Sequence, residues 1–89
     1  MRYGLYSIYD RKAKFYTDPR KAENDEVAIR DVKALFDDPK AQGSSYVINA
    51  EDYSLAKIGY FDNSNAEIYA EIEPIIDLIT LKTGDNENV

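Results

Sequence analysis

The chain has 89 residues, of which 44% are hydrophobic and 31% charged, with a formal net charge of −6. That length corresponds to one domain, with a core too thin to enclose a large cofactor. That balance of hydrophobic and charged residues excludes disorder, and no apolar run approaches the roughly 18 to 20 residues that cross a bilayer. Cysteine and histidine are both absent, which removes disulfides, thiol nucleophiles, the usual zinc sites, imidazole bases and every Ser-His-Asp arrangement.

In residues 1–16 the apolar run is broken by Asp10, Arg11 and Lys12 before it reaches signal-peptide length, so export is not expected. The charge is unevenly spread. Residues 1–22 hold six basic side chains against two acids, a local +4, and the remainder holds five against fifteen, a local −10. Bulk charge therefore argues against non-specific nucleic-acid binding but leaves room for a basic face.

Residues 3–9 are rich in aromatic and β-branched side chains, and Asp10-Arg11-Lys12 reads as a turn into a second run, 13–17. Asp18-Pro19 closes this first hairpin, since proline cannot continue a central strand. Asn24 is a good N-cap, and Ala28, Ile29, Val32, Leu35 and Phe36 recur at helical spacing, which predicts a helix over 25–36. Asp37-Asp38-Pro39 ends it, and residues 40–45 read as a loop. Residues 46–48 read as a short strand and 49–52 as a single helical turn. Residues 53–61 and 66–72 form a second hairpin around Asp62-Asn63-Ser64-Asn65, with Ile68, Ala70 and Ile72 alternating against polar neighbours. Pro74 suits the first turn of a helix bearing Ile75, Leu78, Ile79 and Lys82, stopped at Thr83-Gly84.

The expected fold class is thus α+β, an antiparallel sheet of two hairpins with one or two helices packed on one face, in the order β-β-α-β-β-α. Residues 1–84 form the single domain and 85–89 a frayed tail. The apolar face of the helix is expected to meet a sheet that includes Leu5, Leu55, Ile58 and Ile68.

Candidate chemistry is sparse. Asp62 to Ala66 resembles the start of a calcium loop but lacks its glycine and closing glutamate, so a plain turn is the better reading. Asp37, Asp38, Glu51 and Asp52 fit helix-end and turn roles better than an acid-base pair, because so small a core offers no pocket to shift one pKa. No catalytic residue, metal or cofactor is expected, and no enzymatic activity. The first hairpin differs. Tyr3, Tyr6, Tyr9, Phe15 and Tyr16 lie in the segment that carries the +4 charge. Tyrosine stacks on unpaired bases and Lys or Arg follows the phosphates, so Tyr6, Tyr9, Arg11, Lys12, Lys14 and Tyr16 are the expected single-stranded nucleic-acid contacts. The competing reading packs half these rings under the helix and treats the basic residues as solvated edge charges. The acidic remainder offers a rival surface for a basic protein partner. Two hairpins with free edges and eight tyrosines also suggest a homodimer.

Leu5-Tyr6-Ser7-Ile8-Tyr9-Asp10 with Lys12-Ala13, Asn24-Asp25 with Ala28-Ile29-Arg30, Asp38-Pro39, and Glu51-Asp52-Tyr53-Ser54-Leu55 with Ile58-Gly59 and Phe61-Asp62 stand in a characteristic order. In these segments, across residues 5–62, the chain resembles the small nonstructural protein of gokushovirus-type microviruses, the single-stranded DNA phages. The resemblance implies a DNA-binding protein of the host cytoplasm that assists genome replication or the switch to single-strand synthesis and packaging. It supplies no catalytic motif.

Overall fold

The computed structural model describes residues 1–83; the expected stop at Gly84 and the tail 85–89 lie outside them. The fold is α+β, an antiparallel sheet with helices on one face. Strand β1 (Arg2–Asp10) lies inside the sheet. Along one side it pairs with β4 (Tyr53–Asp62), which pairs in turn with the edge strand β5 (Glu67–Asp77). Along its other side lie β2 (Phe15–Tyr16) and β3 (Arg20–Ala22).

The two hairpin turns share one construction. Asp10 accepts the N–H of Lys12 through its carboxylate at 3.0 Å, while its carbonyl accepts the N–H of Lys14 at 2.7 Å. Asp62 does the same with Ser64 and Ala66, at 3.0 and 2.8 Å. Lys14 (φ 61°) and Ala66 (φ 63°) each take the left-handed conformation that lets the chain reverse. The Asp62 side chain is thus engaged within its own turn.

Strand β3 is not evident from the sequence, where Asp18-Pro19 reads as a stop. Tyr9 faces Tyr16 but Tyr6 faces Arg20, so the returning chain bulges by one residue and then resumes pairing. Thr17 makes the bulge tolerable. Its hydroxyl accepts the Ile8 N–H at 2.9 Å, and its carbonyl accepts the Ser7 hydroxyl at 2.6 Å.

Helix α1 (Asp25–Asp37) begins as expected, with the Asn24 side chain accepting the Val27 N–H. Residues 46–48 are not a strand. They belong to a short helix, α2 (Ser45–Ile48), because the Ser44 hydroxyl accepts the Tyr46 N–H and starts a turn that buries Val47. The final helix, α3 (Leu78–Thr83), starts four residues later than Pro74 suggests. Pro74 stays in β5 opposite Ala56, since an edge strand can accommodate a residue without an N–H.

The core lies between sheet and helices. Tyr6, Ala22, Ala28, Ala50, Leu55 and Leu78 are buried together, with Ile8, Val32, Phe36, Tyr46, Ile76 and Ile79 packed around them. Leu55 belongs to this core, but Leu5 is only half-buried and Ile68 is 71% exposed, on the far side of the sheet.

Candidate nucleic-acid interface

Strand pairing and the two-residue alternation of side chains assign each position to one face. Ile8, Leu55 and Ile76 stand in line across three strands and point into the core. The neighbouring lines of residues therefore point away from the helices. Across β1, β4 and β5 these are Tyr3–Phe61–Ile68, Leu5–Gly59–Ala70, Ser7–Ala56–Pro74 and Tyr9–Ser54–Asp77. Tyr16 and Lys21, partners of Tyr9 and Leu5, extend the same face.

This open face is aromatic at both ends. The Tyr9 and Tyr16 rings lie 4.7 Å apart between centroids at an angle of 43°. At the other end the Lys21 ammonium stands 4.6 Å from the centre of the Tyr3 ring. The only acid among the paired positions of this face is Asp77, and the Arg11 guanidinium holds it in an ion pair. Glu67 and Glu73 fall on the helix side by the same register. A chain of net charge −6 thus keeps one sheet face nearly free of acid.

The six residues expected to contact nucleic acid are not all gathered here. Tyr6 is removed from the set. Its ring is buried against the core and its hydroxyl donates to Asp25 at 2.6 Å, because its parity on β1 is opposite to that of Tyr3 and Tyr9. Arg11 is tied down by Asp77 and by the carbonyl of Glu51. Lys12, at the hairpin tip, pairs with Asp52 at 3.5 Å but remains largely exposed. Lys14 is exposed, and its ammonium has no ion-pair partner among the described residues. Tyr9 and Tyr16 are brought together on the face. The expected set omitted Tyr3, Lys21 and Phe61. Odd-numbered alternation along β1 would have found Tyr3 and rejected Tyr6. Phe61 had no such signal, because a register shift near Ile58 changes the parity of β4.

Behind the sheet, Asp25 joins Tyr6 to Lys57, whose ammonium lies 3.1 Å from its carboxylate. Burial, then the hydrogen bond to Asp25, pushes the Tyr6 phenol far above its usual range. That same hydrogen bond holds Asp25 below the ordinary carboxylate value of 3.8, with Lys57 adding to the effect. Burial works against a charged Lys57, yet its bonds to Asp25 and Tyr60 outweigh it and raise the ammonium above 10.5.

The family model for the phage ORF5 protein matches residues 3–83. The chain belongs to the phage ORF5 protein family. No curated protein and no solved structure matches it. The match takes in every line of the open face, from Tyr3 to Asp77, and the Tyr6–Asp25–Lys57 group.

That group gives this phage ORF5 family member a defined pH response. The lowered Asp25 contributes stability above its unfolded value near 3.8, lost as pH falls through its folded pKa. The raised Tyr6 and Lys57 contribute stability below their unfolded values of 10.0 and 10.5, lost as pH rises through their folded values. Denaturant titrations should show unfolding free energy level between about pH 5 and 9 and falling above about pH 10. The alkaline fall should be smaller in Tyr6→Phe, which has no phenol to ionise; an identical fall in both proteins would remove Tyr6 from the account.

Proposed function

We propose that this phage protein binds single-stranded DNA on its open sheet face, as a nonstructural protein of gokushovirus-type microviruses acting in the host cytoplasm during replication or the switch to single-strand synthesis. The observation that carries the reading is the segregation of charge: apart from Asp77, which Arg11 pairs, the paired positions of a face with rings at both ends hold no acid, Lys21 stands on that face, and Lys14 is exposed in the turn that precedes Tyr16. Exposed rings on a sheet accept unpaired bases without sequence preference, and adjacent cations meet the phosphates. Duplex DNA presents no unstacked base to such a surface and should bind more weakly.

A salt titration with single-stranded and duplex oligonucleotides tests this. With about three phosphates neutralised, log K against log salt should slope near −2, at about −0.7 per contact. Lys14→Ala should flatten the slope by about 0.7. Tyr16→Ala should lower affinity by about 1 to 3 kcal/mol and leave the slope unchanged, because stacking releases no counterions. Absence of binding to either form at low salt would overturn the proposal.

A second reading is favoured by β5. Its outer edge is unpaired among the described residues, it carries Glu67, Glu71 and Glu73, and Ile68 and Ile72 are 71% and 62% exposed. An unpaired edge with exposed apolar residues suits strand addition by a basic protein segment. This reading predicts association with protein and none with DNA. Homodimerisation belongs to the same class and would be read directly from the mass in solution.

A further inference from the structure

The open face is not a continuous stacking surface. Tyr3, Phe61 and Ile68 form one station with Lys21, and Tyr9 with Tyr16 forms another. Tyr9 lies six positions along β1 from Tyr3, a span of about 20 Å at roughly 3.3 Å per residue. Between them run Leu5–Gly59–Ala70 and Ser7–Ala56–Pro74. Ser7 and Ala56 are only 3% and 4% exposed, and neither line offers an aromatic ring. The middle of the face, called the saddle below, thus has no aromatic surface.

We propose that a single DNA strand occupies both stations at once, stacking one base at each and spanning the saddle with nucleotides whose bases make no stacking contact. This rests on the single-stranded DNA reading and adds a spacing rule to it. Binding at the first station makes the second encounter intramolecular, so strands too short to span the saddle forfeit most of the affinity. Affinity should depend on the bases at the two ends of the footprint and be indifferent to those in the middle.

The probe is a thymidine oligonucleotide of about seven nucleotides, long enough to span about 20 Å even at the compact duplex rise of about 3.4 Å per nucleotide. Fluorescence titration would compare the intact strand with strands made abasic at the centre, at the 5′ end or at the 3′ end. Central abasic sites should leave affinity within about twofold, whereas loss of either terminal base should cost about tenfold, as one stacked base is worth. Tyr16→Ala, a substitution at a side chain already 40% exposed, should make the protein insensitive to loss of one terminal base and still sensitive to the other. Central abasic sites that weaken binding as much as terminal ones would overturn the two-station arrangement while leaving DNA binding intact. If the intact strand does not bind, both readings fall.

Discussion

Gly59→Ala is expected to destabilise the protein by at least the upper end of the about 1 to 3 kcal/mol typical of overpacking. Gly59 sits in β4 opposite Ala70, next to the register shift at Ile58. A Cβ at this position would lie 2.0 Å from the Tyr69 carbonyl oxygen. That oxygen is backbone, so relief requires β5 to move away from β4 rather than a side chain to rotate. Gly43 is the control, since a Cβ there meets nothing within 4 Å. Chemical denaturation of the two variants should show a large loss for the first and almost none for the second. A Gly59→Ala protein as stable as the parent would mean that β4 and β5 are not paired in this register.

Leu78→Ala should cost about 2 to 5 kcal/mol, because the side chain is fully buried where α3 meets the core and its removal leaves a cavity. Against a total stability of about 5 to 15 kcal/mol the loss is a large fraction. At about 4 to 8 °C per kcal/mol for a domain of this size, Tm should fall by at least about 8 °C. Ile68→Ala, at a side chain 71% exposed, should stay within about 0.5 kcal/mol of the parent. Thermal scans that rank the two substitutions the other way would reverse the assignment of sheet faces.

The expectations that held rest on short-range physics. A helix begins after Asn24 because the capping oxygen and the Val27 N–H are three residues apart. Both hairpins turn at an aspartate whose carboxylate reaches an N–H two residues on. Within β1, alternation already separates Tyr3 and Tyr9 from Tyr6, although the clustering of aromatic and basic residues drew Tyr6 into the expected site.

What went astray depends on partners distant in the chain. Tyr6 is buried because Asp25, from the start of α1, receives its hydroxyl. Arg11 is withdrawn from the hairpin tip by Asp77, 66 residues away. Residues 46–48 have strand-like composition, but Ser44 starts a helical turn and the core accepts Val47 from it. Pro74 reads locally as a helix start, and its place in β5 is decided by pairing with β4.

The sequence by itself therefore determined the α+β class, the principal helix, the two turns and the clustering of rings and basic residues near the N-terminus. The tertiary structure alone decided which rings of different strands share a face. Side-chain parity along a strand can be counted only while the pairing is regular, and the shifts near Ile58 and Ile75 and at Thr17 change that count. Those shifts arise where distant segments must fit one another, Gly59 against the Tyr69 carbonyl and Thr17 against Ile8, a fit that no local pattern of residues encodes.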